Sequence, residues 1–183
     1  MTDIHAIACD RVLVRALDKG DLHRFRAIRL SALQRAPLAF GSSFEEENAY
    51  SDAVFARRLE QVNGNVIFGA FDGDNLLGIA GHYRYERRSE HHRGTLVSVY
   101  VTPEAQGLGL GKALVQKVID HAAGHVVILE AKVVATNEAA KRVYYGLGFK
   151  TYGVETKSLY VQGQYLDQEL IYIDFTDPAW NPK

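Results

Sequence analysis

Between Thr95 and Ala123 the chain reads Thr95-Leu96-Val97-Ser98-Val99-Tyr100-Val101 and then, four residues later, Gln106-Gly107-Leu108-Gly109-Leu110-Gly111-Lys112. Leu110, Ala113, Leu114, Val118 and Ala122 continue from it at helical spacing until Gly124. The first run is β-rich on both faces, as a central strand is. A second β-rich run, Val126–Ala135, follows the stripe. Strand, helix and strand in this order predict a right-handed crossover joining two parallel strands.

Outward from this unit the pattern alternates. Toward the N-terminus, Arg11–Ala16 is a strand with Val12 and Val14 on one face. Asp18 or Asp21 can cap a helix carrying Leu22, Phe25, Ile28, Ala32 and Leu33, which Pro37 closes. Leu38–Asn48 reads as a loop with an acidic end. Ser51 can cap a second helix with Val54, Phe55, Leu59 and Val62 buried, stapled by Tyr50 and Phe55 and ended by Gly64. Strands Val66–Phe71 and Leu76–Tyr85 flank Asp72-Gly73-Asp74-Asn75, which is hairpin-turn chemistry. Glu86–Arg93 is a charged loop. After the central unit come a helix over Asn137–Leu147, stopped by Gly148, and a hairpin of Lys150–Val161 and Tyr165–Phe175 about Gln162-Gly163. The order β-α-α-β-β-β-α-β-α-β-β predicts an α/β fold of the mixed α+β kind. It is one mixed sheet of about seven strands flanked by about four helices, not a doubly wound nucleotide fold.

The 183 residues suit a single domain over 1–183, with a core at about 11–175 and tails at 1–10 and 176–183. Apolar residues make up 47% and charged residues 23%, as in ordinary globular proteins. With 21 basic and 22 acidic residues the net charge is −1, which leaves no electrostatic footprint for nucleic acid or an anionic membrane. No apolar run approaches the ~18 residues of a membrane span. The opening MTDIHAIACD does not read as a signal peptide, and Cys9 is the sole cysteine. A cytoplasmic protein without disulfides is expected. No metal is expected either: His91 and His92 are adjacent in a charged loop, and Gly124 breaks the helix between His121 and His125.

A glycine turn between strand and helix lets a ligand approach backbone N–H groups with no Cβ in the way. Together with the helix N-terminus those groups form an anion site. The turn is not a P-loop, since Ala113 follows Lys112. It lacks the dinucleotide fingerprint's last spacing and its ribose-binding acid. By spacing alone a ligand-free turn is equally compatible.

Two motifs together resemble the GNAT superfamily of N-acetyltransferases. Gln106-Gly107-Leu108-Gly109-Leu110-Gly111 matches its acetyl-CoA signature, Gln/Arg-x-x-Gly-x-Gly/Ala. Asn137-Glu138-Ala139-Ala140-Lys141-Arg142-Val143-Tyr144-Tyr145-Gly146-Leu147-Gly148-Phe149 matches the second, an Asn, two helical turns with a Tyr, then Gly-Phe. The resemblance spans roughly residues 11–175 in element order. It implies acetyl-CoA as co-substrate, with Val99, Tyr100 and Val101 along the pantetheine arm and the turn from Gln106 to Lys112 around the pyrophosphate. It implies further that Asn137 contacts the pantetheine and that Tyr144 is the general acid at the thioester sulfur. Dimerisation is common in the family. A catalytically silent acyl-CoA-binding domain of the same fold is the alternative, and the presence of Tyr144 favours the enzyme.

Asn137 and Tyr144 are seven residues apart and so share a helix face, with the small Ala140 between them. The partner implied is an amine acceptor, on a small molecule or on a protein or peptide. Some GNAT enzymes carry a Glu base early on the central strand, but Gly94-Thr95-Leu96-Val97-Ser98 holds no acid. The base is then sought in Glu45 or Glu47, in His82, or in a water chain. An acidic rim at Glu45–Glu47 would suit a cationic amine.

Overall fold

The computed structural model describes residues 12–180. Arg11, Cys9 and the N-terminal tail lie outside the described residues. Seven strands form one sheet: β1 Val12–Ala16, β2 Val66–Asp72, β3 Asn75–Arg84, β4 Arg93–Val101, β5 Ile128–Val134, β6 Lys150–Val161 and β7 Gln164–Asp174. Their order across the sheet is β1-β2-β3-β4-β5-β7-β6. Only β4 and β5 run parallel; every other neighbouring pair is antiparallel. The mixed sheet and its parallel crossover are those the sequence predicts.

Five α-helices are present: α1 Leu22–Arg35, α2 Phe44–Asn48, α3 Asp52–Arg58, α4 Leu110–Ala122 and α5 Glu138–Gly146. The sequence pattern predicts four. The extra one, α2, lies in the expected loop Leu38–Asn48. It is nucleated by a capping box: Ser43 accepts from the Glu46 amide while the Glu46 carboxylate accepts from the Ser43 amide. Helix α3 stops before Val62, which is 52% exposed and not part of a buried stripe. The chain there turns through Asn63 and Gly64, both left-handed. At the other end, the expected tail is partly folded. Trp180 packs edge-on to Phe175 at 4.8 Å and lies against the core.

The sheet separates two cores. Helices α4 and α5 cover one face through Leu114, Val118, Ile119 and Tyr144, against Ala80, Leu129 and Ile171. Helix α1 and helix α3 cover the other through Phe25, Ile28 and Phe55, against Ile67 and Ile79. Ile79 and Ala80 are neighbours on β3 and serve opposite cores, as strand alternation requires.

β4 and β5 pair only at Arg93, Gly94 and Thr95, against Ile128, Leu129 and Glu130. Beyond Thr95, β5 continues to pair with β7 as far as Val134, while β4 stays with β3. The β3–β4 register shifts between Ile79 and Gly81, which face Tyr100 and Val97. Ser98 and Val99 are thus bulged out of the ladder, with Ser98 at φ 57°. The bulge bends β4 away from β5 and opens the sheet.

His82 on β3 is fully buried at 0% exposure. Its Nδ1 lies 2.8 Å from the Gly64 carbonyl, which can only accept, so the proton sits on Nδ1. Nε2 is buried without a partner among the described residues. Burial, helped by nearby His121, His125 and Arg84, pushes the imidazole pKa down to about 4, against the upward pull of the Gly64 bond. The unfolded chain takes up this proton near pH ~6.5, well before the folded protein does. Stability from His82 is therefore complete above that pH and declines as pH falls toward 4. The loss should reach roughly 2 kcal/mol by pH 5. Urea midpoints at pH 7.5 and 5.0 check this: His82→Gln, which keeps a donor for Gly64, should flatten the decline by that amount.

Candidate active site

The gap between β4 and β5 holds two adjoining cavities. One, of about 490 Å³, is lined by Val99, Tyr100 and Val101 of β4, by the glycine turn and the start of α4, and by Asn137, Ala140, Val143 and Tyr144 at α5. The other, of about 430 Å³, is lined by Thr95–Ser98 of β4, by Glu130, Ala131 and Lys132 of β5, and by Arg29, Glu47, Arg58, Tyr83, Tyr85, Tyr152 and Gln168. Ala39 and Phe40, at the end of a 3₁₀ turn after α1, border both.

Around the first cavity the structure gathers every residue implied for acetyl-CoA except Leu108, which packs against the core instead. Gly107 and Gly109 adopt φ of 80° and 78°, a conformation costly to other residues, and a Cβ on either would point into open space. Gly109 is the N-cap of α4, so the first amides of a 13-residue helix open beside the turn. Gln106 ties the turn back to β4 through Nε2 to the Val101 carbonyl, at 3.3 Å. With the Lys112 ammonium at its edge, this cradle fits a pyrophosphate. Ala36, Ala39, Ala105, Ala139 and Ala140 line the remainder, and such small side chains leave room for a slender chain. These residues fit coenzyme A.

Asn137 caps α5, its Oδ1 accepting from the Ala140 amide at 3.1 Å. Tyr144 sits two turns on and is 7% exposed. Its ring lies 5.6 Å from that of Phe149, and burial raises the hydroxyl pKa well above the tyrosine range. Tyr145 faces elsewhere, bonding Thr151 at 2.9 Å and also Glu169.

Of the three acceptor-side candidates, Glu47 alone borders either cavity. Glu45 is exposed on α2 and lines neither cavity. His82 also lines neither, being locked in the core. Glu47 does border the second cavity, but as a 1% exposed residue and not an acidic rim. Arg29 Nη2 reaches its Oε1 at 2.7 Å and Arg58 Nη1 its Oε2 at 2.6 Å. Burial works to raise the Glu47 pKa, but these two guanidiniums outweigh it and hold the carboxyl below its ordinary range. A carboxylate so held is a poor base.

The carboxylate missed in the sequence is Glu130. It lies where β4 and β5 part, paired with Thr95 in the last parallel register. Arg93 makes an ion pair with it, and the hydroxyls of Tyr85 and Tyr152 donate to it at 3.0 and 3.2 Å. The alternation of Leu129, Glu130 and Ala131 hides this acid in an apolar strand, and only the pairing of β5 with β4 reveals where it stands.

A sheet opened beside a glycine-capped helix makes a cavity with room for an acyl-pantetheine arm. Residues 30–149 match the model of the acetyltransferase (GNAT) family. The chain is 29% identical over 153 residues to the N-alpha-acetyltransferase RimI of Mycobacterium tuberculosis, spanning 84% of this chain and 93% of that one. Among solved structures it resembles yncA of Salmonella typhimurium, whose structure contains its cofactor acetyl-CoA. That match has a TM-score of 0.77 at 22% identity and covers 94% of this chain and 98% of the other. A phosphinothricin acetyltransferase from Sinorhizobium meliloti, in complex with acetyl-CoA, also superposes with a TM-score of 0.77, at 20% identity and 94% of each chain. The chain belongs to the GNAT acetyltransferase family, as an acetyl-CoA-dependent N-acetyltransferase.

Gly109→Asp tests the cradle. It places a side chain at φ 78° and a negative charge beside the pyrophosphate. The backbone strain alone is worth about 1–2 kcal/mol. That strain is carried by the free and the bound protein alike, so it is the charge beside the pyrophosphate that should lower acetyl-CoA affinity by at least ~10-fold in calorimetry.

Proposed function

We propose that the protein transfers the acetyl group of acetyl-CoA to a primary amine, of a small molecule or of a protein or peptide, by direct attack of the amine on the thioester. The observation that carries this reading is Tyr144. It is a buried tyrosine whose side chain makes no hydrogen bond among the described residues, on the wall of the cavity that fits the pantetheine arm. Core tyrosines satisfy their hydroxyls; one held open toward a ligand cavity is available to that ligand.

The residues then divide the work. Val99, bulged off the β3 ladder, offers its amide to polarise the thioester oxygen. An amine of pKa ~10.4 must lose its proton before it attacks, a cost of roughly 4–5 kcal/mol at pH 7. Glu130, held by one guanidinium where Glu47 is held by two, is the freer of the two carboxylates on the second cavity and accepts that proton, directly or through a water. As the nitrogen–carbon bond forms and the carbon–sulfur bond breaks, Tyr144 gives its proton to the departing sulfur. Burial keeps Tyr144 protonated until that moment. The relative from M. tuberculosis is named for acetylating α-amines, which supports an α-amine as the group attacked.

Tyr144→Phe should leave acetyl-CoA affinity intact and lower kcat by ~10²–10⁴-fold, the usual worth of general acid catalysis. The loss should shrink with an acyl donor of more acidic thiol. Tyr145→Phe should be nearly neutral. An unchanged kcat in Tyr144→Phe, with chemistry rate-limiting, would make Tyr144 a packing residue.

Glu130→Gln should lower kcat/KM by a similar ~10²-fold or more at pH 7. The deficit should narrow toward pH 9–10, where more of the acceptor is already free amine. A deficit independent of pH would assign Glu130 a structural role.

A further inference from the structure

The charges around the second cavity do not balance. Lys132 is paired with Glu155 at 2.7 Å, and Glu130 with Arg93. Glu47, by contrast, faces two guanidiniums, those of Arg29 and Arg58. The cluster therefore carries one surplus positive charge. Its side chains are 8% (Arg29), 1% (Glu47) and 26% (Arg58) exposed. The faces not turned to Glu47 are covered by rings: Phe40 lies 4.8 Å from Arg29, and Phe55 lies 5.3 Å from Arg58. Glu86 borders a neighbouring depression with Arg58 and Tyr83, yet makes no ion pair with either among the described residues.

Tyr83 adds a donor at the same place. Its hydroxyl is buried without a partner among the described residues, and it feels the charges of Arg58, Arg29 and Glu47. Burial pushes its pKa up, so it stays a donor. A partly buried surplus cation and an unanswered buried hydroxyl are each costly, and one acceptor-rich anion satisfies both.

We infer that the acceptor carries a carboxylate beside its reactive amine, and that Arg58, Arg29 and Tyr83 receive that carboxylate in the second cavity. This rests on the acetyl-transfer reading above and reverses the expectation of an acidic rim suited to a cationic amine. The carboxylate can be the α-carboxylate of a free amino acid or the acidic side chain of a short peptide; the chemistry recognised is the same.

The test uses acceptor pairs that differ by one charge, with release of free CoA as the readout. L-alanine against L-alaninamide represents the free amino acid. Ala-Asp-amide against Ala-Asn-amide represents the peptide, and spermidine serves as a cationic acceptor. At least one anionic member should exceed its neutral partner by ~10-fold or more in kcat/KM, the scale of a charge-assisted hydrogen bond. Arg58→Gln should abolish that preference by raising KM for the anionic member, with the neutral partner's KM moving little. Tyr83→Phe removes only a hydroxyl with no protein partner, so folding should be unaffected, and the preference should shrink about threefold or more. Acetyl-CoA affinity, measured by calorimetry, verifies that each variant is folded. Equal or reversed preference within both pairs, or turnover of spermidine alone, overturns the inference and leaves acetyl transfer standing. A preference that survives in both variants overturns the assignment of these residues. Absence of amine-dependent CoA release with every acceptor overturns the acetyl-transfer reading, and the inference with it.

Discussion

The parting of two parallel strands is the constraint on which the site depends. β4 and β5 hold each other for three residues and then separate, because Ser98 and Val99 are bulged out of the β3 ladder. A continuous parallel pair would spend the backbone groups of β4 on β5 and leave no opening. The bulge redirects β4 toward the glycine turn, while β7 carries β5 away. Each functional element is fixed relative to this fork. Glu130 stands at its apex, Val99 on one arm, and α5 follows the other arm and brings Tyr144 across. The two cores hold the fork rigid from both faces.

The donor half of the candidate site could be read along the chain because its features are local. The glycines at 107 and 109 are where left-handed backbone is needed, and Asn137 and Tyr144 lie on one short helix. Spacing along a chain is enough to describe such features. The strands and their hairpins were legible for the same reason, through alternation and the Asp72–Asn75 and Gln162-Gly163 turns. Helix α2 was missed although Ser43 and Glu46 form a capping box in plain view, since five residues of helix give no periodicity to detect.

The acceptor half was not legible, because its lining is assembled from eight separate α-helices and strands. Glu47 belongs to a run of three acids that would ordinarily be solvated. What buries it is the approach of Arg29 from α1 and Arg58 from α3, an event of tertiary packing. His82 looked like a candidate base for want of any other, and its fate is decided by the Gly64 carbonyl 18 residues away. Glu130 needed the β4–β5 register to be noticed. In each case the residue type was visible and its company was not.

Phe40 and Ala39 belong to the walls of both cavities. A shared wall cannot be moved for one guest without altering the room left for the other. The free energy by which a bound donor tightens or loosens the hold on the acceptor must therefore equal that by which a bound acceptor alters the hold on the donor. Ala39 and Phe40 are thus the place where a substitution would register in the binding of both guests at once.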